Sequence, residues 1–143
     1  MPTVFVLNGP NLNLLGAREP DIYGARTLDD IARDLHVRAD ELGLALDMRQ
    51  SNHEGHLIDW LHEAARSEAK AVLLNPGGYS HTSVAIRDAV AAIAIPVIEV
   101  HISNPHAREP FRHASLISAV ARGSISGFGP LCYRLALDAA ALL

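Results

Sequence analysis

Residues 7–24, LNGPNLNLLGAREPDIYG, follow a short apolar run and precede the first clear helical pattern of the chain. Three Asn, three Gly and two Pro interrupt any long helix or strand in this stretch, so it predicts a long functional loop. The loop concentrates two amides, a guanidinium and a phenol between Asn11 and Tyr23. Open α/β sheets bind their ligands at loops of this kind, which leave the strand ends.

Strand and helix patterns alternate along the rest of the chain. Thr27 and Asp30 form a predicted capping box, and the apolar stripe that follows ends at Gly43, as helices commonly do. Strands are predicted at Thr3–Asn8, 44–49, 71–74, 96–101 and Gly123–Ser126, and further helices around 57–65, 83–94 and 130–143. Five strands that alternate with helices predict a parallel sheet covered on both faces.

This pattern predicts an α/β fold, a flavodoxin-like three-layer α/β/α arrangement with a five-stranded parallel sheet in the order 2-1-3-4-5. The 143 residues are expected to form a single domain, because no linker, repeat or low-complexity segment interrupts them. In this order, the ligand site lies at the carboxyl ends of strands 1, 3 and 4.

Composition argues against several classes of function. The net charge is -4, from 12 basic and 16 acidic residues, and no basic run occurs, so a nucleic-acid partner is not expected. No apolar run has the length of a membrane span, and the N-terminus lacks the regions of a signal peptide, so we expect a cytoplasmic protein without membrane association. The only cysteine, Cys132, cannot form an internal disulfide and is interpreted as a small packed residue.

Polar residues follow strands 1, 3 and 4 where the core does not require them. Asn8 ends strand 1, Asn75 begins the segment NPGGYSHTS after strand 3, and strand 4 ends in EVHISN. Asn75 alone is explained by ordinary turn chemistry. The agreement of three loops at one sheet edge favours a binding site, and the turn at Gly77 and Gly78 can offer backbone N–H groups to a phosphate or a carboxylate.

His101 stands out among the eight histidines. Glu99 lies two residues earlier and therefore on the same face of the strand. The pair is either a general acid kept protonated by a carboxylate or a buried salt bridge, and the two interpretations have equal weight. No spacing among the histidines matches a zinc site, and four are interpreted as surface residues among charges: His36, His53, His56 and His62.

Tyr23 is a candidate base only in a suitable environment, because a free phenol has a pKa of ~10. Arg18, Arg108 and Arg112 are the cations that can stabilise its phenolate, and a structural tyrosine capped by arginine is the alternative. Lys70 is the only lysine and precedes strand 3, at the opposite edge of the sheet. A Schiff-base mechanism therefore has no candidate amine.

Five segments of the chain resemble the motifs of a known family. They are residues 7–24, 51–59 (SNHEGHLID), 75–89 (NPGGYSHTSVAIRDA), 96–104 (PVIEVHISN) and 106–113 (HAREPFRH). In content and order they resemble type II 3-dehydroquinate dehydratase, and the resemblance covers nearly the whole chain. It implies a flavodoxin-like enzyme of the shikimate pathway that dehydrates 3-dehydroquinate to 3-dehydroshikimate without metal or cofactor.

The resemblance also implies roles for individual residues. Tyr23 falls at the position of the base, Arg18 at that of the group that activates it, and His101 at that of the general acid. Asn11 falls where an amide helps to stabilise an enolate through a water. The implied substrate-binding residues are Asn75, His81, Ile102, Ser103 and Arg112, together with Asp88, which in the family reaches the site of an adjacent subunit.

The third predicted helix, residues 83–94, has only Arg87 and Asp88 as charged residues. It is apolar around most of its circumference, so we expect it to be buried on more than one side. The sheet covers one face, and another copy of the chain is expected to cover the other. The resemblance implies a homododecamer built as a tetramer of trimers.

Two other classes of protein use the same sheet edge. A flavin or nucleotide carrier needs a phosphate loop after strand 1, where this chain has Asn8-Gly9-Pro10-Asn11, and neither GxxxxGKS/T nor GxGxxG after a strand occurs. A phospho-acceptor signalling module needs acidic residues at the ends of early strands and a late lysine. The sequence favours neither class.

Overall fold

The computed structural model describes residues 1–143. One parallel sheet of five strands has the order β2-β1-β3-β4-β5, which confirms the predicted topology. The strands are β1 (Thr3–Asn8), β2 (Ala45–Gln50), β3 (Ala71–Asn75), β4 (Val97–His101) and β5 (Gly123–Ser126). Asn8 pairs with Gln50 on one side and with Asn75 on the other, so these three strands end level with one another.

Five α-helices accompany the strands: α1 (Pro20–Tyr23), α2 (Leu28–Glu41), α3 (Glu54–Arg66), α4 (Val84–Ala92) and α5 (Leu131–Ala141). The predicted capping box begins α2, where Thr27 Oγ1 accepts the Asp30 N–H at 3.1 Å and Asp30 Oδ2 accepts the Thr27 N–H at 3.0 Å. Gly43 follows the helix with φ of +70°, as a C-terminal glycine does. None of the helices combines the length and the hydrophobicity that a membrane crossing needs.

Two hydrophobic layers lie between the sheet and the helices, because successive strand residues point to opposite faces. On one face, β1 and β3 pack against α2 and α5, through residues that include Val4, Val6, Leu73, Ile31, Leu35 and Leu137. On the other face the same strands pack against α3 and α4, through residues that include Phe5, Leu7, Val72, Leu57, Leu61, Ile86 and Val90. Cys132 is buried in the first layer, as expected of a small packed residue.

Short helices interrupt the stretch of residues 7–24. It contains no long helix or strand, as predicted, but it has a 3-10 turn at Leu12–Leu14 and the one-turn helix α1.

The prediction for α4 was too long at both ends. Ser83 is its N-cap, because Ser83 Oγ accepts the Ile86 N–H at 3.0 Å, and Ile93 is already extended with ψ of 149°.

The loops after β1 and β3 touch each other at Gly9. The Gly9 N–H donates to the Asn75 carbonyl oxygen at 2.8 Å, and a Cβ atom on Gly9 would lie only 2.6 Å from the Pro76 carbonyl oxygen. Any side chain at this position would therefore push the two loops apart. The contact holds the polar segments of both loops at the same edge of the sheet.

Candidate active site

The loops that follow β1, β3 and β4 surround a cavity of about 170 Å³ at the carboxyl edge of the sheet, called the pocket below. Its wall includes every residue predicted for the site except Asp88: Asn11, Arg18, Tyr23, Asn75, His81, His101, Ile102, Ser103 and Arg112. The remaining wall residues are Pro10, Leu12, Gly77, Gly78, Pro105 and Arg108. The structure thus joins groups that are far apart in the sequence in one small polar space.

Two guanidinium groups lie close to the ring of Tyr23. Helix α1, which carries it, has Pro20 at its first position and is followed by Gly24 with φ of +82°, a residue pair that suits the two ends of a helix. The Cζ atoms of Arg18 and Arg108 lie 5.1 and 5.2 Å from the centroid of the Tyr23 ring. Each guanidinium is thus within the distance at which a cation interacts with an aromatic ring.

Arg108 makes several contacts beside the pocket that the sequence did not predict. The sequence indicated it only as one of three possible cations near Tyr23. Its side chain is 12% exposed. Nη1 donates to Ser103 Oγ at 3.3 Å, Nη2 lies 3.9 Å from Glu19 Oε2, and the buried Nε has no partner within the chain. Buried N–H groups are normally paired, so this unpaired N–H of a residue in the pocket wall is a candidate donor to a bound ligand.

Glu99 orients His101 from within the sheet. The Nε2 atom of His101 donates to Glu99 Oε2 at 2.6 Å, which leaves Nδ1 as the free nitrogen of the ring. Glu99 is fully buried and also accepts hydrogen bonds from the hydroxyls of Ser115 and Ser118. Burial raises the pKa of Glu99, but the bonds from His101, Ser115 and Ser118 outweigh burial and hold that pKa below its usual value. The buried carboxylate is therefore an anion beside His101.

Three further side chains of the pocket carry amide or imidazole groups. Asn11 has a left-handed backbone with φ of +69° and is held by its N–H, which donates to Asn52 Oδ1 at 3.0 Å. The Nδ1–H of His81 donates to the Ala114 carbonyl oxygen at 2.8 Å, so Nε2 is its free nitrogen. Asn75 is buried at the end of β3 and hydrogen-bonds within the chain as well as lining the pocket.

The segment after β4 contributes Ile102, Ser103 and Arg112 to the wall of the pocket. Ile102 is buried and accepts the Gly129 N–H on its carbonyl oxygen at 3.0 Å. Arg112 forms an ion pair through Nε with Glu109. Arg112 also lines the pocket, where a planar guanidinium suits a carboxylate.

Asp88 and Lys70 lie outside the pocket. Asp88 is on α4 with its side chain 68% exposed, and its Oδ1 lies 3.7 Å from Arg87 Nη1. Lys70 Nζ donates to the Leu143 carbonyl oxygen at 2.9 Å, and the Lys70 N–H bonds to Thr3 at the amino edge of the sheet, as predicted. No group of three His, Cys, Asp or Glu side chains forms a potential metal cluster.

The hydrogen bonds of Tyr133 to the strand ends were not predicted from the sequence. Tyr133 of α5 is fully buried and joins the side chains of Asn8 and Asn75 by hydrogen bonds. Its place in an apolar helical stripe gives no indication that its hydroxyl reaches the strand ends, because only the packing of α5 on the sheet brings the three residues together.

Comparison with known proteins gives a consistent assignment. The family model described as "Dehydroquinase class II" matches residues 2–141. The chain is 61% identical to "3-dehydroquinate dehydratase" of Mesorhizobium japonicum over 142 residues, which cover 99% of this chain and 98% of that protein. It is also 61% identical to the protein of the same name from Rhizobium johnstonii over 137 residues, which cover 96% of this chain and 94% of that protein. The crystal structure of type II dehydroquinase from Propionibacterium acnes superposes with a TM-score of 0.97 at 46% identity, covering 100% of this chain and 98% of that one.

Proposed function

The chain belongs to the class II dehydroquinase family, and on that premise we propose that it converts 3-dehydroquinate to 3-dehydroshikimate and water, a step of the shikimate pathway. Membership of the family makes it an enzyme of the hydro-lyase class. The observation that carries the mechanism is that Tyr23, flanked by Arg18 and Arg108, shares one pocket with the His101–Glu99 pair. The pocket therefore offers a base and an acid at once.

Tyr23 is the base in this proposal. As a phenolate, it removes the proton on the carbon next to the substrate ketone, and the electron pair of that C–H bond moves into an enolate. Arg18 and Arg108 are assigned to attract the negative charge of that phenolate, since both guanidinium groups lie near its ring. Asn11 stabilises the enolate oxygen through a water, because an oriented amide favours the charge that develops there.

His101 is the general acid that completes the elimination. As the enolate re-forms the ketone, its electrons make the new carbon–carbon double bond and the carbon–oxygen bond to the leaving hydroxyl breaks. The Nδ1–H of the His101 imidazolium gives its proton to that hydroxyl, which departs as water. Glu99 keeps the ring oriented through Nε2. After each turnover Tyr23 has gained one proton and His101 has lost one, so exchange with solvent restores the enzyme.

The other residues of the pocket hold the substrate. Arg112 and the backbone at Ile102 and Ser103 are assigned to its carboxylate, since a guanidinium fork and adjacent N–H groups suit a planar anion. Asn75 and His81 are assigned to its hydroxyl groups through an amide N–H and through Nε2. No cofactor is needed for these steps, because the chain itself supplies the acid, the base and the charge stabilisation.

We also propose that the enzyme is a homododecamer, a tetramer of trimers, in which Asp88 serves the site of an adjacent subunit. Two features support this. Asp88 is exposed on α4 and does not line the pocket of its own chain. Apart from Arg87, the other exposed residues of the same helix are apolar, with Val84 57% exposed.

The proposed function is tested by measuring the rate at which the conjugated product forms, from its ultraviolet absorbance. The wild-type protein is compared with Tyr23→Phe. Removal of one hydroxyl should lower kcat by about 10³-fold or more, because the base is lost while the ring remains. Tyr79→Phe is the matched control, since Tyr79 donates to the Asn52 carbonyl oxygen and does not line the pocket. Near-normal turnover in Tyr23→Phe would reject the base, and no turnover in the wild type would reject the activity.

A further inference from the structure

A buried hydrogen-bond chain links helix α5 to the carboxyl ends of β1 and β3. Tyr133 has no exposed surface. Its hydroxyl donates to Asn8 Oδ1 at 2.6 Å and accepts from Asn75 Nδ2 at 2.9 Å. Asn8 and Asn75 are neighbours in the parallel register, so a single hydroxyl bridges the ends of two adjacent strands.

The backbone groups at the two ends of this series of hydrogen bonds determine which atom donates in each bond. Asn8 Nδ2 donates to the Arg49 carbonyl oxygen at 3.0 Å, so Oδ1 is the accepting end of that amide. The only proton of the Tyr133 hydroxyl goes to this oxygen, and its lone pair is left to accept from Asn75. At the far end, Asn75 Oδ1 accepts the Gly77 N–H at 3.2 Å. Asn75 therefore cannot rotate its amide by half a turn without breaking two bonds.

This arrangement leaves one N–H of Asn75 unassigned. An amide nitrogen carries two hydrogens, and Tyr133 takes only one of them. Asn75 lines the pocket although it is almost completely buried, so the second N–H is the donor that it can offer to a bound molecule. The orientation of that donor depends on a residue that does not line the pocket.

We propose that Tyr133 is a positioning residue for substrate binding: it holds the Asn75 amide so that an N–H, and not the carbonyl oxygen, faces a hydroxyl oxygen of the substrate. The inference rests on the proposed function, in which Asn75 binds 3-dehydroquinate. Burial raises the pKa of the Tyr133 phenol, so the hydroxyl keeps its proton over the pH range in which the enzyme works. The donors and acceptors in this series of hydrogen bonds therefore keep their roles.

The first test is Tyr133→Phe, which removes only the bridging oxygen. Asn75 then loses the acceptor that fixes its amide, and KM for 3-dehydroquinate should rise about tenfold, the effect of one hydrogen bond. The kcat value should change less than about threefold, because Asn75 contacts substrate and transition state alike. Leu137→Val is the matched control. Leu137 is equally buried on the same helix, so this variant loosens the packing without touching the amides, and its KM should not change. An unchanged KM in Tyr133→Phe would overturn the proposal.

A double-mutant cycle separates positioning from a general structural role. Asn75→Ala should raise KM, and Tyr133→Phe added to it should raise KM less than about twofold further, because the residue through which Tyr133 acts is already absent. Effects that multiply would overturn the proposal. An unchanged KM in Asn75→Ala alone would overturn the substrate contact and the inference that rests on it, while product formation by the wild type would still support the activity.

Asn8→Ala is a second variant that keeps the proposal testable if Tyr133→Phe does not fold. It leaves the Tyr133 proton without its acceptor, so the hydroxyl can turn and donate to Asn75 Oδ1, which reverses the amide. The same rise in KM is expected, and it should again disappear in the Asn75→Ala background. A folded Asn8→Ala with wild-type KM would contradict the proposal.

Discussion

Glu99 is the residue whose environment makes the clearest prediction about pH. Its pKa is held below the ordinary 4.5 in the folded chain, so in acid the unfolded state binds more protons than the folded state and stability rises with pH. The stabilisation by Glu99 is therefore fully present above about pH 4.5, the ordinary pKa of the group. It is lost as the pH falls from there through the lower pKa that Glu99 has in the folded chain.

Glu99→Gln should be less stable than the wild type at pH 5 by about 1–3 kcal/mol, because a charged acceptor of three bonds is replaced by an amide. The difference should shrink at pH 3, because that pH lies below the ordinary pKa of 4.5, so the unfolded wild type binds a proton at Glu99 and the advantage of the charged side chain is partly lost. Urea unfolding of both proteins at the two pH values measures it. Arg112, His81, His106 and His113 line the polar cavity beside Glu99 and are present in both proteins. A constant difference would contradict the assignment.

His101→Ala separates the two chemical steps. Without the general acid, loss of the hydroxyl should slow by about 10²- to 10⁴-fold, while Tyr23 still removes the proton next to the ketone. Substrate recovered from deuterium oxide should therefore gain one deuterium although little product forms. Tyr23→Phe is the comparison, because it should show neither exchange nor product. Loss of exchange in His101→Ala would show that His101 acts in proton removal instead.

At the residue scale, the sequence predicted contacts that a strand repeat or a short loop can encode. Glu99 and His101 are two residues apart on one strand, and their predicted pairing is confirmed at 2.6 Å. Ser115 and Ser118, which also bond Glu99, were not predicted, because they follow two 3-10 turns whose path no periodicity describes. The roles of Tyr23, Arg18 and Asn11 stay predictions until the variants are measured.

Among the elements, the contact between the loops after β1 and β3 is the most sensitive to substitution. Gly9→Ala would place a Cβ atom 2.6 Å from the Pro76 carbonyl oxygen and 2.8 Å from its carbon. Both are backbone atoms, so the loops must separate, and Asn11 and Gly77 move with them. We expect stability to fall by about 1–3 kcal/mol, as for other overpacking changes, and kcat/KM to fall by about tenfold or more because the pocket loses its geometry.

Gly55→Ala is the matched control for this prediction. Gly55 lies in the first turn of α3, and a Cβ atom there meets nothing within 4 Å. Alanine should leave activity unchanged and raise stability by up to about 1 kcal/mol, since glycine is unfavourable in a helix. Thermal unfolding and steady-state kinetics are measured for Gly9→Ala and Gly55→Ala. Equal effects on stability and kcat/KM would show that the close contact between the loops does not determine the geometry of the pocket.

The elements themselves follow from local patterns, but their ends depend on side-chain and backbone details. The capping box at Thr27 and the C-terminal glycine at Gly43 marked α2 in the sequence, and both are present. Helix α1 was not predicted, since a single turn has too few residues to show a period. The strand order was predictable because alternating strands and helices adopt few doubly wound arrangements, of which the flavodoxin-like order 2-1-3-4-5 is a common one.

For the whole molecule, the open question is what covers α4. Ile86, Ala89 and Val90 are buried against the sheet, while Val84 is 57% exposed. The sequence predicted this apolar second face, but one chain does not contain its partner. The proposed trimer supplies a partner, and it makes a neighbouring chain part of each active site through Asp88.

Mixing two inactive variants tests this shared site. Asp88→Ala and Tyr23→Phe should each lose activity alone, the first because every pocket lacks its neighbour's carboxylate and the second because every pocket lacks its base. After both are unfolded and refolded together, about a quarter of the pockets should combine an intact Tyr23 with an intact neighbouring Asp88, by random assembly around a cyclic trimer. Product absorbance should then recover toward about a quarter of the wild-type rate, while each variant refolded alone gives none. If Asp88 serves only its own subunit, each pocket keeps one defect and no activity returns. Sedimentation of the refolded mixture gives the assembly directly, and a 15.4 kDa monomer at micromolar concentration would exclude a shared site.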